Sequence, residues 1–428
     1  MKIVHIVSTA DGAPWMVALA REQKRLGHDV AVIVPSLNGR IATALKRDSI
    51  PCYAAATDIV FEQASLFRKL RRLTHLVLLL RRIRPDVVHS HIIGSVLTAR
   101  IASWIADVPN HFAGNVHPIS LESDLLRQLE VGTAFCDTKT IASSTYTREL
   151  YLQHGIPANQ LAMVYYAVDQ DAHDPALADG AAVRRELGLA SHTPVVGKIA
   201  YFYPPSRTGY AVPANLRGRG LKGHDVLLRA IPYVLEQISD AKFVLVGRGS
   251  GPLGPQYEQE LKSLAESLGV SYAVLFPGER TDVANVLASF DVSVHCSLSD
   301  NLGGTVESLL MERPMVVSDA KGFADTIVHE ETGLVVPKDE PRALADAILR
   351  LLRDRDLARR LGKQGRDRML AGFTLAHNVA GIEALLAATT ERAANHYRLR
   401  RTFARIVTTP FRLLPMMLRM RRIMRDAI

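Results

Sequence analysis

The sequence predicts an α/β protein with two doubly wound parallel-sheet domains facing a cleft. Three observations carry that expectation. The chain has 428 residues, room for about two or three domains. Its apolar runs are short, continuous and rich in Val and Ile, with helical patterns between them, as expected for parallel strands covered on both faces. The alternation lapses once, in the polar, Ala-rich stretch 169–193 that includes Asp171-Ala172-His173-Asp174-Pro175, and then starts afresh.

Taken in order, strands are expected at 3–7, 30–34 and 87–89, with a weaker one at 140–143, and helices at 15–26 and 63–83. Arg84-Pro85-Asp86 closes the second helix, because the residue before a proline is pushed out of the helical region. After the lapse come a strand at 195–202, a helix at 222–238, a strand at 243–246, a helix at 256–268 and a strand at 272–276. A helix at 282–289, a strand at 291–295, a helix at 304–311 and strands at 315–317 and 334–336 follow. Residues 340–395 read as largely helical. The expected division is a first domain over 1–180, a second over 190–370, a helical crossing over 371–397 and a tail over 398–428.

Composition excludes several classes. With 48% hydrophobic and 22% charged residues the chain can build sizeable cores and is not a disordered one. Its net charge is +9, yet residues 398–428 hold nine Arg and one acid, Asp426. That leaves +1 on the rest, so a basic nucleic-acid-binding body is excluded. The tail also lacks Tyr and Trp to stack on bases, so no nucleic acid is expected as a partner. Three Cys, at 52, 136 and 296, have no metal-type spacing and fit a reduced compartment. The run 3–7 is too short for a signal-peptide core, and 73–80 is far below the roughly 20 residues a spanning helix needs. A cytoplasmic location follows as an expectation.

The strongest local pattern is Ser297-Leu298-Ser299-Asp300-Asn301-Leu302-Gly303-Gly304-Thr305-Val306-Glu307, which follows a strand and opens a helix. Two glycines at a helix start let backbone N–H groups approach a phosphate. Glu307, one turn in, can accept hydrogen bonds from vicinal sugar hydroxyls; the competing reading is an ordinary helix with a solvated Glu. Lys222 follows a long loop, 203–221, rich in Pro, Gly and Arg; such loops in compact domains are usually functional or disordered. A Lys there can neutralise a diphosphate without a metal. His117, at the end of a first-domain strand, would face the cleft, and His91 in Val87-Val88-His89-Ser90-His91 is a second candidate; a lone His is more often structural. Gly249, Gly251 and Gly254 spell a dinucleotide-type G-x-G-x-x-G, but Pro252 falls inside it and a Gly-rich turn explains it equally. No paired metal ligands, Walker A or nucleophilic-serine motif occurs, so no metal site and no cofactor are expected.

In this order, the pieces resemble the family 4 glycosyltransferases of the GT-B fold, which retain anomeric configuration and use nucleotide-sugar donors. The resemblance covers most of residues 1–390. Asp11-Gly12-Ala13 and Leu26-Gly27-His28-Asp29-Val30 look like the family's first βαβ unit, and Pro85–His91 like its Pro-Asp strand ending in His. Ile141-Ala142-Ser143-Ser144, Lys222-Gly223, Phe276-Pro277-Gly278, Ser297–Glu307 and Thr332-Gly333-Leu334-Val335-Val336-Pro337 follow in the family's order. The resemblance implies that Glu307 holds the donor ribose and Lys222 the diphosphate, with Gly303, Gly304 and Gly278 on the donor side. It implies His117 beside the transferred sugar, and the Gly12 loop and His91 on the acceptor side. Fixed cations would meet the charge that develops on the leaving diphosphate.

The sequence departs from the family in three places, the first being the usual Gly-Gly near residue 12, reduced here to Gly12 followed by Ala13-Pro14. The family's two acids are separated by seven residues, and counting back from Glu307 reaches Ser299, with Asp300 one residue closer. The family's second cation follows the first strand of the second domain, where this chain reads Ala200-Tyr201-Phe202; Arg217 and Arg219 of the inserted loop are then the candidates. The implied function is transfer of a hexose to a saccharide or lipid-linked acceptor, as in polysaccharide biosynthesis. A sugar-nucleotide epimerase and a weakly catalytic donor-binding subunit are the alternatives.

Two basic segments remain. Residues 67–72 and 81–84 bracket an apolar helix with seven positive charges, and 411–425 interleave Arg with large apolar residues. Basic amphipathic segments read as membrane-surface elements, so an anionic membrane is an expected partner and the inner membrane face the expected place.

Overall fold

The computed structural model describes residues 1–115, 117–166, 168–206 and 212–392. The basic tail 398–428 lies outside the described residues, as do 207–211 of the long loop. In the first half, strands β1 (Lys2–Val7), β2 (Asp29–Val34), β3 (Cys52–Ala54), β4 (Val87–His91), β5 (Asn110–Asn115), β6 (Lys139–Ala142) and β7 (Leu161–Met163) alternate with helices. Those helices are α1 (Pro14–Arg25), α2 (Arg40–Arg47), α3 (Leu66–Ile83), α4 (Ile93–Ala106), α5 (Ile119–Glu122), α6 (Asp124–Thr133) and α7 (Thr145–Gln153). The strands form one parallel sheet in the order β3-β2-β1-β4-β5-β6-β7.

The second sheet is also parallel, with order β10-β9-β8-β11-β12-β13. Its strands are β8 (Val195–Ile199), β9 (Lys242–Val246), β10 (Val274–Gly278), β11 (Val292–His295), β12 (Met315–Ser318) and β13 (Leu334–Val336). They alternate with α8 (Gly180–Glu186), α9 (His224–Leu235), α10 (Gly254–Ser267), α11 (Val283–Ala288), α12 (Thr305–Leu310), α13 (Pro341–Arg353), α14 (Arg355–Gly372) and α15 (Leu375–Arg392). In both sheets the order reverses beside the first strand, which opens a crevice at the carboxyl ends of the strands.

Each sheet is buried on both faces, which is why several of its strands read as short apolar runs rich in Val and Ile rather than as alternations. In the first, Val4, Ile6 and Val88 pack under α3 and α4 with Leu76 and Leu80, while Val7, Val32 and Val34 face Met16 and Ile41. In the second, Val196, Phe243, Leu245 and Val294 face α9 and α13, and Val244 and Val246 face Val183, Val286 and Phe290.

Three expectations change in detail. The stretch 169–193 is not a bare linker: it contains α8, whose Val183 joins the second core. The strand expected at 195–202 ends at Ile199, and the one expected at 272–276 begins at Val274, after a 3-10 turn. The G-x-G-x-x-G glycines form a close backbone contact, since a Cβ on Gly249 would sit 2.1 Å from the Gly254 carbonyl carbon. That turn starts α10, and the packing accounts for the glycines. The chain then crosses back: Val379, Ile382 and Leu386 of α15 pack with Ile3, Leu19 and Val87 of the first domain, and His28 bonds Glu383.

Candidate functional site

The loop between β11 and α12 carries the second domain's share. Asp300 is 3% exposed at the side chain and lies 2.7 Å from the Lys222 ammonium. Its other partners are the Ser297 hydroxyl, which donates at 2.8 Å, and the Asn301 backbone N–H at 2.9 Å. Burial opposes ionisation of Asp300, but the positive Lys222 and its hydrogen bond, with His117 nearby, hold the carboxyl below the usual carboxylate range. Lys222 reaches this loop because Gly223 turns the chain at φ 64°, where a Cβ would lie 2.0 Å from the Cys296 carbonyl oxygen. Only glycine permits both the positive φ and that approach.

His117 comes from the first domain, just past β5. Its Nε2 is 3.7 Å from Asp300 Oδ1, and its Nδ1 accepts the Ile119 backbone N–H at 3.1 Å. An accepting Nδ1 puts the proton of the neutral ring on Nε2, the nitrogen that faces Asp300. Burial, then the charge of Lys222, lower its pKa to about 4, so the ring is neutral at physiological pH. The first domain holds the neighbours of Asp300 too. Ser299 donates to Glu122 at 2.7 Å, and Asn301 donates its amide to Ser143 at 2.7 Å.

A cleft of about 920 Å³ opens beside this junction. Asp11, Gly12, Trp15, Arg40 and Tyr166 line it from the first domain, and Tyr201, Glu279, Gly304 and Glu307 from the second. Glu307 Oε2 is buried with no hydrogen-bond partner among the described residues. Burial raises the Glu307 pKa, with His173 pulling the other way. A buried carboxylate oxygen left unpaired is costly unless something binds it. At the mouth, Arg40 bridges the domains by an ion pair to Glu279 at 2.8 Å.

The candidates drawn from sequence thus fall into three groups. Lys222, Asp300, Ser299 and His117 converge at the junction, while Glu307, Gly304 and Gly12 line the cleft. Gly303 adjoins both, with its carbonyl accepting from Tyr166 at 2.9 Å. Gly278 ends β10 beside the cleft residue Glu279. His91 is buried behind Trp15, edge-on at 5.0 Å between ring centroids, rather than open to the cleft. Arg219 is spent elsewhere: Asp225 at 3.1 Å and Asp339 at 2.5 Å hold its guanidinium. Arg217 is exposed in the same segment.

Sequence reasoning missed two residues. Lys198, on β8, is fully buried and its ammonium has no hydrogen-bond partner among the described residues. Burial lowers its pKa, and the charges acting on it include Lys222 and Asp300. It stands two residues before the Ala200-Tyr201-Phe202 stretch in which a cation was sought. Glu122 was missed because nothing local marks it; its partner Ser299 is 177 residues away.

One group of the kind that can hold a metal ion also forms among the described residues. The ring nitrogens of His5, His89 and His91 lie within 4.8 Å of one another, all buried. Spacing along the chain could not reveal it, because strand register builds it: His5 pairs with His89, and Val7 with His91. His5 Nδ1 and His91 Nε2 share a hydrogen bond at 2.9 Å, and His5 Nε2 meets Gln23 at 2.7 Å.

Two Rossmann-like parallel-sheet domains, with a cation–carboxylate centre at their junction and an unpaired carboxylate in the cleft, make up a protein of the GT-B type. Comparison with known proteins agrees. The glycosyl transferase 4-like domain matches residues 13–167 and the group 1 glycosyl transferases match 214–368. The chain belongs to this family and is a glycosyltransferase.

It is 23% identical over 349 residues to the Escherichia coli UDP-Gal:alpha-D-GlcNAc-diphosphoundecaprenol alpha-1,3-galactosyltransferase, covering 79% of this chain and 84% of that one. It is 29% identical over 276 residues to a Mycobacterium tuberculosis GDP-mannose-dependent alpha-(1-6)-phosphatidylinositol monomannoside mannosyltransferase, covering 60% of this chain and 63% of that one. Among solved structures, Anabaena HepE with UDP and glucose superposes with a TM-score of 0.76 at 19% identity, over 91% of this chain and all of HepE.

Proposed function

We propose that this enzyme transfers a hexose from a nucleotide sugar to a saccharide or lipid-linked acceptor with retention of configuration. The observation that carries the reading is Glu307, whose buried unpaired oxygen faces a cleft large enough for a nucleotide sugar. Its carboxylate accepts the ribose hydroxyls. Lys222 meets the diphosphate, and Lys198 is the second cation, in place of Arg217 or Arg219. Both ammoniums become more valuable as negative charge grows on the leaving diphosphate, so they lower the barrier rather than only tightening binding. That charge is met without a resident metal. Neutral His117 offers its Nε2–H to a hydroxyl of the transferred sugar, and the Gly12 loop borders the acceptor. With donor and acceptor held on one face of the sugar, attack comes from the side the diphosphate leaves.

The membrane reading has support in α3. Leu66 is 66% exposed, Phe67 79% and Leu70 53%, interleaved with exposed Arg68 and Arg71. Large apolar side chains and cations on one exposed helix end suit the boundary of an anionic leaflet, where each Lys or Arg adds about 1 kcal/mol. The E. coli and mycobacterial relatives are named for lipid-linked acceptors, and a lipid-linked acceptor would be met at that boundary. A thermal-shift screen with UDP, GDP, ADP and TDP sugars tests the donor site, since a ligand that binds only the folded state raises the melting temperature. One class should give a clear rise that Glu307→Ala abolishes. A rise that survives Glu307→Ala rejects the assigned site.

A further inference from the structure

Three consecutive residues of the β11–α12 loop are held by the other domain. Ser299 donates to Glu122 at 2.7 Å, Asp300 faces His117 at 3.7 Å and Asn301 donates to Ser143 at 2.7 Å. Two of the three first-domain groups lie within six residues of each other, because α5 places Glu122 one turn beyond His117. The same turn fixes the His117 ring through the Ile119 N–H. The second oxygen of Glu122 is occupied as well: Tyr146 donates its phenol at 3.0 Å. Burial and then the charge of Glu122 raise the Tyr146 pKa, so the phenol stays a donor across the working pH range. The Glu122 carboxylate is therefore oriented from both sides, one oxygen toward each domain.

This geometry exists only while the domains are together. Separation would remove the Glu122, His117 and Ser143 contacts at once, leaving the loop to the Lys222, Ser297 and Asn301 bonds inside the second domain. We propose that Glu122 is a positioning residue for sugar transfer. Through Ser299 it sets the Ser299–Asn301 loop in its working geometry when the domains close, so that turnover, but not donor binding, depends on it. The inference rests on the glycosyl-transfer reading above. It deepens that reading by placing one of the site's acids on the opposite domain from the loop it orders.

The test uses the full chain and whichever nucleotide sugar raises its melting temperature. Transfer by the unaltered protein is measured first; its absence counts against the transfer reading itself, independently of Glu122. In Glu122→Ala, kcat should fall at least tenfold while donor affinity stays within twofold, because Glu307, Lys222 and Lys198, the groups that hold the nucleotide diphosphate, belong to the second domain. Adding Ser299→Glu to Glu122→Ala returns a carboxylate to the gap from the loop side and should recover at least tenfold of the loss. A purely structural role would lower the melting temperature and donor affinity together and gain nothing from the second substitution. Unchanged kcat in Glu122→Ala, a parallel loss of donor affinity, or no recovery in the double variant overturns the proposal.

Discussion

Arg100 in the first domain and Lys198 in the second are both cations with no exposed surface, yet they are provided for in opposite ways. Every guanidinium nitrogen of Arg100 is paired. Nε donates to Asp137 at 2.9 Å, Nη1 to Glu130 at 3.1 Å and Nη2 to Asp137 at 2.6 Å. The acids are satisfied in turn by Tyr151 at 2.6 Å and His111 at 2.7 Å, and His111 passes the chain on to Ser90. Burial alone would favour a neutral Arg100, but Asp137 and Glu130 outweigh it and raise its pKa. Lys198 has no such shell. A buried charge network that closes on itself belongs to the scaffold, because removing one member strands the rest. A buried charge left open is tolerated where a ligand completes it.

The comparison can be broken most forcefully at Arg100. Arg100→Met leaves Glu130 and Asp137 buried without their cation and should cost about 3–5 kcal/mol of stability, read as a lower denaturation midpoint; a change under about 1 kcal/mol would mean the network is not structural. Lys198→Met should do the reverse. It removes an unpaired buried charge, so the melting temperature should hold or rise, while affinity for the nucleotide diphosphate falls about tenfold, roughly 1.4 kcal/mol. Unchanged affinity would remove Lys198 from the site.

The gentlest test is pH. His295 is buried beside Lys198, and burial, then that charge, lower its pKa to about 3 against an ordinary 6.5. As pH falls below 6.5 the unfolded chain takes up a proton that the folded one refuses, so stability declines toward acid. His295→Gln should flatten the slope of unfolding free energy between pH 6 and 4 by up to about 1.4 kcal/mol per pH unit. An unaltered slope would mean His295 is charged in the folded protein.

The scaffold was readable in the sequence where chemistry is local. Short apolar runs rich in Val and Ile marked β1, β2 and β9, since double-sided burial leaves no regular polar alternation to confuse the pattern. Lys222-Gly223 and Ser297–Glu307 were legible for the same reason: a positive-φ glycine and a helix start leave their mark within a few residues. The short strand β3 and the helix α8 were not, because three and seven residues carry too little periodicity and tertiary packing decides them. Contacts across the domains left no local trace. Ser299 looked like a missing acid, and the carboxylate it touches lies on α5. Arg219 looked like a free cation until Asp339, 120 residues on, was seen to hold it.

The return of α15 to the first sheet changes how the two halves can divide their work. The polypeptide passes between domains twice, and the passages are joined by a bridge between Val168 and Thr374. The two passages of chain therefore run side by side where they leave the first domain. Because α15 packs beside Leu19 of α1, the chain beyond it sets out from the half that also carries the exposed α3 surface. The described end of the chain thus lies on the same body as the basic, exposed surface of α3. On the reading proposed above, a lipid surface that holds that body holds the first-domain lining of the cleft, Asp11 to Trp15, along with it.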